Sequence, residues 1–336
     1  MNRKTIAEKT RKFLSTALVY GIVIYTLHTL ESKGIYCLNF SYGTATVITP
    51  DGKTLIKGDE GIKFRDIASG ETIRSLEGYF FNVNQVDVSP DGKTLVGSIN
   101  SEYGDEQAAQ IYRWDLVSGK QISPLKGHKD HVYTFAFSPD SKIMVSGSAD
   151  NTVKIWDLAS GKEIRTLSGH HGNLRQVAIT KDGQTIVSAE IDGFIKLWDI
   201  TTGKEKRTIT DRVRIKSFNI TPDSQTIIVN RYDETIKSWN ISTGQQISIL
   251  KNQSNIKVSG SAISLDGKTL FTASNNKTIR VWDIASGQEV RNIKVDSDVI
   301  SVGVNPDGKT LVGSGSDKKI RFWDIASGQN IRTFCE

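Results

Sequence analysis

Six tryptophans, Trp114, Trp156, Trp198, Trp239, Trp282 and Trp323, follow one another at intervals of 42, 42, 41, 43 and 41 residues, and the chain has no others. Counting back 49 residues from Trp114 reaches Phe64-Arg65-Asp66, a seventh copy of the Ile-Trp-Asp pattern with arginine in the tryptophan slot. A fixed period of this length marks a chain of like units. The length prior that would divide 336 residues into two unlike domains therefore does not apply.

Two further features keep the same register. A glycine preceded by Ser or Thr stands five residues after every slot, at Gly70, Gly119, Gly161, Gly203, Gly244, Gly287 and Gly328. Such a pair suits a tight turn. An aspartate followed by Gly or Ser precedes each slot, at Asp51, Asp91, Asp140, Asp182, Asp223, Asp266 and Asp307, and five of the six prolines sit beside these aspartates. Between the turns lie short β-rich runs, in the third unit Val132 to Ser138, Ile143 to Ser148, Thr152 to Asp157 and Glu163 to Leu167. Each has the length of an ordinary strand, so every unit predicts four strands, and no helical pattern occurs after residue 34.

These residues resemble WD-repeat blades, over roughly residues 40 to 336. The resemblance implies an all-β fold, a seven-bladed β-propeller of four-stranded antiparallel blades of bacterial type, with blades near 40–78, 79–127, 128–169, 170–210, 211–252, 253–294 and 295–336. Gly127-His128 and Gly169-His170 match the dipeptide that opens such repeats. The family's hydrogen-bonded tetrad then maps onto His128, Ser146, Asp150 and Trp156, and onto His170, Ser188, Asp192 and Trp198. Its implied role is structural, linking inner strands and satisfying a buried indole N–H. The other five blades have no histidine in that place.

Residues 1–34 are of another kind. Arg3, Lys4, Lys9, Arg11 and Lys12 against Glu8 precede an uncharged run from Phe13 to Leu30. A basic segment leading into an apolar one is the pattern of a signal anchor, expected here to be an N-terminal apolar helix engaging the membrane through residues 13–30. Three readings stay open: an uncleaved anchor, a cleaved signal peptide, or a helix packed on the propeller or a partner. The first two put the propeller on the far side of the membrane, tethered or, after cleavage, secreted or periplasmic.

The sequence shows no nucleophile elbow, phosphate-binding glycine loop or His-Glu-x-x-His, and cysteine is confined to Cys37 and Cys335. Neither catalytic nor metal-ligating residues nor a cofactor are assigned, and the expected function is a non-catalytic scaffold for protein partners. The alternative is a ligand-binding or enzymatic use of the central channel. Of the net charge of +6, +4 lies in the first twelve residues. A basic run, Lys204, Lys206, Arg207, Arg212, Arg214 and Lys216, has no aromatic residue interleaved, which argues against nucleic acid. About seven extra residues in blade two, within Ser98 to Gln107, predict a projecting loop with an acidic tip of Glu102, Tyr103, Asp105 and Glu106, suited to a basic partner or simply a tolerated insertion. Finally, Ile35 to Phe40 reads as a strand entering the ring where the C-terminal run leaves it. That would bring Cys37 near Cys335, as a disulfide joining the ring's ends or as two free thiols.

Overall fold

The computed structural model describes residues 45–58, 61–76, 83–99, 106–250 and 256–335. Those residues form seven four-stranded antiparallel sheets, each a simple meander in chain order, spanning 45–76, 83–125, 132–167, 174–210, 215–250, 258–294 and 299–335. The first strands of successive sheets touch one another while the fourth lie farthest out, so the sheets are the blades of a ring. Because each blade is a meander, the loops between blades and between second and third strands gather at one end of the ring. The other two turns of each blade gather at the opposite end.

The repeated turns follow from side-chain chemistry. In blade three, Ser138 Oγ donates to Asp140 Oδ1 at 2.6 Å, and Asp140 in turn accepts from the Lys142 amide at 3.1 Å. The residue after the aspartate takes a left-handed conformation, Ser141 with φ 59° here and glycine in five other blades, which explains the Asp-Gly/Ser signature. Past the tryptophan, Asp157 Oδ1 accepts from the Ser160 amide at 2.7 Å and its hydroxyl at 2.6 Å. The aspartates of the Trp-Asp pairs are thus turn formers.

Burial is greatest in the second strands, such as Ile143–Ser148, which lie between neighbours within the blade and between blades above and below. Close approach there demands small residues. A Cβ on Gly147 would come within 2.9 Å of Leu174, Thr134 and Val177, two of them in blade four. Bulky apolar residues fill the remaining space: Val145, Ile155, Leu174, Ile186 and Trp198 form one cluster shared by blades three and four. Each fully buried aliphatic side chain stabilises by about 1.5–3 kcal/mol, so these interfaces are the main source of cohesion.

A second joint runs around the rim. Nine residues after the tryptophan slot, five blades carry arginine, and the side chain reaches forward to the turn of the next blade. Arg74 donates to the Leu116 and Val117 carbonyls at 2.6 and 3.0 Å, Arg207 to Ser242 at 3.0 Å, and Arg291 to Ala326 at 2.6 Å. Arg165 instead packs its stem against Gly203. Blade two has Ser123 in this slot, and Arg113 of its third strand substitutes by donating to the Leu158 carbonyl at 2.8 Å.

The same joint closes the ring. The last blade takes all four strands from the C-terminal end and the first all four from the N-terminal end, so among the described residues no strand is exchanged across the seam. Arg332 donates to the Ala68 carbonyl at 2.6 Å, and Leu55, Val312, Ile320 and Phe322 pack together with Ile67 and Phe334. Gly70, with φ 79°, lies where a Cβ would stand 2.8 Å from the Phe334 ring.

The degenerate first unit is a full blade from Ala45 to Leu76, and Arg65 occupies its tryptophan slot half-buried. The expected N-terminal helix, the strand from Ile35 to Phe40 and Cys37 lie outside the described residues. Among those described, every regular element is a strand, and no helix is long and apolar enough to cross a membrane. Cys335 ends the last strand, its backbone in register with Lys319.

Candidate functional site

In blade three the predicted tetrad residues meet. Trp156 Nε1 donates to Ser146 Oγ at 2.8 Å, Ser146 Oγ lies 2.7 Å from His128 Nε2, and His128 Nδ1 lies 2.9 Å from Asp150 Oδ2. The partners fix the proton positions: Nδ1–H donates to the carboxylate and Nε2 accepts from the serine. Burial pushes the Asp150 carboxyl up, but the hydrogen bond from His128, with bonds from Thr152 and the Lys129 amide, more than reverses this and holds it well below the ordinary range.

Blade four differs from the expectation in one member. Ser188 joins Trp198 Nε1 at 2.8 Å to His170 Nε2 at 2.7 Å, but His170 Nδ1 meets Glu190 Oε2 at 3.0 Å, not Asp192. Glu190 ends the second strand, where blade three has Ser148, and its longer side chain reaches the ring from inside the blade. It also accepts from the His171 and Gly172 amides at 3.0 and 3.1 Å, which fixes the whole loop, and leaves Asp192 exposed in the following turn. Burial lowers the His170 pKa, opposed by the charge and hydrogen bond of Glu190.

The remaining blades solve the same problem differently. In blade six Thr272 takes the serine position and accepts from Trp282 Nε1 at 2.9 Å. Blades two and seven have Gly97 and Gly313 there, against which Trp114 and Trp323 pack directly. Blade five has Val229, and the buried Trp239 Nε1 has no hydrogen-bond acceptor.

Blade five also reverses the charges. Asp211 stands 28 residues before Trp239, the spacing that separates His128 from Trp156 and His170 from Trp198. Opposite it, at the position of Glu190, is Arg231. Asp211 lies 3.2 Å from Arg231 and 3.0 Å from Lys237, with its side chain fully buried, and Arg231 also pairs with Asp233 at 3.1 Å. Counting 28 residues back from each slot would have found this substitution, which a search for histidine alone passes over.

At this loop-bearing end the candidate contact residues divide. Glu106 is exposed, beside Ala108, whose carbonyl accepts from the Val132 amide at 3.1 Å and ties the foot of the blade two loop to blade three. Glu102, Tyr103 and Asp105 lie outside the described residues. The basic run is not one patch. Lys206 pairs with Asp199 at 3.2 Å and Arg207 grips Ser242, both toward the opposite end, whereas Arg212, Arg214 and Lys216 belong to the loop end. There an aromatic residue does join them, since Arg214 and Lys216 lie 5.0 and 5.5 Å from the ring centre of Tyr232.

Toward the channel, Asp87 of the first strand of blade two has its pKa pushed up to about 7 by burial, partly opposed by the Val88 amide. Among the described residues no three His, Cys, Asp or Glu side chains gather as a metal site. Carboxylates such as Asp115, Asp157 and Asp283 are lowered by bonds from the serine hydroxyl and amide of their own turns, which commits them to backbone geometry.

Comparison with known proteins places this architecture. Residues 105–336 match the family model described as the IFT122 first beta-propeller. The chain is 30% identical over 120 residues to the rat serine-threonine kinase receptor-associated protein, covering 35% of this chain and 32% of that one. It is 28% identical over 117 residues to the Dictyostelium discoideum WD repeat domain-containing protein 83 homolog, covering 33% and 34%. It is 38% identical over 73 residues to the human intraflagellar transport protein 122 homolog, covering 22% and 5%. The aligned stretch thus spans about a third or less of each relative's length. With seven meander blades, the recurring Trp-Asp turns and a family match across most of its length, the chain belongs to the WD-repeat propellers, in the family of the IFT122 first beta-propeller.

Proposed function

We propose that this protein is a non-catalytic scaffold whose loop-bearing end holds protein partners. The observation that carries the reading is the division of labour between the two kinds of polar residue. Histidines, serines and aspartates of the blades are consumed in buried networks and turns, while uncommitted charge is left on the loops. Such a surface recognises shape and charge on a partner and offers no reacting centre. The relatives support it, one being named for association with a serine-threonine kinase receptor and another for intraflagellar transport.

The acidic loop of blade two, with Glu102, Tyr103, Asp105 and Glu106, is one proposed contact, for a basic partner. Tethering to a membrane through residues 13–30, with the propeller on the far side, is proposed from the basic-then-apolar order of the N-terminus, and a bacterial-type origin from the near-identity of the repeats. Affinity capture with the full chain, and with residues 98–107 replaced by a short Gly-Ser turn, tests the scaffold. Partners lost only with the loop support it, and thermal stabilisation by small molecules with no protein captured would favour the channel. Fractionation of the full chain tests the tether, which fails if the protein is recovered without detergent.

A further inference from the structure

The loop end of blade five combines three features: a short loop, a buried anchor and exposed cations. Its connection from blade four is short, only Asp211 to Arg214 between strands ending at Thr210 and beginning at Ile215. Asp211 is held from below by Arg231 and Lys237, which anchors the loop at its first residue. Arg212 then adopts a left-handed conformation, φ 58°, and both Arg212 and Arg214 are exposed. Neither forms an ion pair among the described residues.

Two carboxylates of the neighbouring blade five turn are already engaged, while exposed Asp192 precedes Gly193, which packs against the Arg212 backbone. Glu234 accepts from Lys216 Nζ at 2.6 Å and from the Val258 amide at 2.9 Å, and Asp233 from Thr235 and Arg231. Two further cations flank the loop. Arg175 of blade four reaches across, its Nε 2.9 Å from the Lys216 carbonyl, and exposed Lys257 precedes Val258 in blade six. Excess positive charge from three blades therefore converges around one exposed tyrosine, Tyr232.

We propose that Arg212, Arg214 and Tyr232, flanked by Arg175 and Lys257, dock an acidic peptide segment of a partner protein. Guanidinium groups bind carboxylates in a bidentate manner, and stacking on the tyrosine holds the Arg214 fork in place before the ligand arrives. The same contact disfavours nucleic acid, because a tyrosine engaged by Arg214 and Lys216 is a poor platform for a base. This site rests on the scaffold reading only in taking the loop end as the working face, and it is separate from the acidic loop of blade two.

The test is fluorescence anisotropy of the full chain with a labelled peptide in which every second residue is glutamate, a glutamine version of it, and oligothymidylate of matching charge. The glutamate peptide is expected to bind, more weakly as salt rises, and the glutamine version is not. Arg212→Glu with Arg214→Glu should weaken binding by about tenfold or more, and Tyr232→Ala by a few fold. Arg214→Ala, which leaves Asp211 and its partners untouched, guards against a folding defect. Lys204→Glu with Lys206→Glu, at the other end of the ring, should change nothing. The proposal is overturned if the double variant binds as the parent does, if the glutamine peptide binds equally, or if oligothymidylate binds more tightly. If the glutamate peptide fails while a partner is still captured through residues 98–107, this site falls and the scaffold stands.

Discussion

Arg332, three residues before the last cysteine, bonds the main-chain oxygen of Ala68, 264 residues earlier in the sequence. The first and last blades of this ring are joined by side chain to backbone and by packing, and among the described residues no strand crosses the seam.

Arg332→Ala should therefore weaken the seam in particular. It leaves the Ile67 and Ala68 carbonyls without their charged donor, and the expected cost is about 1–2 kcal/mol, as both sit near solvent. Urea unfolding measures that cost, and limited proteolysis should cut first within the first blade. An unaltered midpoint and cleavage pattern would mean that packing alone closes the ring.

Blade four offers a paired comparison. Glu190→Ala removes the buried acceptor of His170 and of two amides, at an expected cost of about 2–3 kcal/mol. Asp192→Ala, at an exposed turn, should stay within about 0.5 kcal/mol of the parent. The reverse order would return Asp192 to the tetrad.

Acid should destabilise the propeller in two stages. The folded His170 ring binds its proton less readily than a free ring, so its contribution is complete above the ordinary value of 6.5 and is lost as pH falls below it. Asp150, held below its ordinary 3.8, contributes fully above that value and loses its contribution as pH falls beneath it. Urea midpoints from about pH 8 to about pH 5 should decline in the parent, and more gently in His170→Gln. Parallel slopes would remove His170 as the cause.

Val229→Thr should be neutral or stabilise by up to about 1 kcal/mol, although it places a hydroxyl at a fully buried site. The threonine would give the Trp239 indole the acceptor that Thr272 gives Trp282. A clear drop in Tm would show that the blade cannot orient the hydroxyl, and the pairing would be refuted.

The fold was legible because its signals are local and repeated. Each Asp-Gly/Ser and Ser/Thr-Gly pair encodes one turn, and all seven glycines after the tryptophan slots have φ between 69° and 79°. Even Phe64-Arg65-Asp66 keeps its turn, with the Ser69 hydroxyl 2.9 Å from Asp66. Partner choice inside the blades was less legible. Spacing pointed to Asp192, but side-chain reach decides, and Glu190 gets there from a strand. The charge reversal at Asp211 and Arg231 and the cations around Tyr232 depend on residues brought together from different strands and loops, which no single window of sequence displays.

The rim arginines have a consequence for how such a ring can be made. Each acts on its successor alone, so a unit that bears one carries a donor for the blade ahead as well as a receiving turn for the blade behind. Copying a unit brings both halves of the joint with it, and the added blade fits its neighbours without matching changes elsewhere. Gene duplication could thus lengthen or renew the ring one blade at a time, leaving the loops free to diverge.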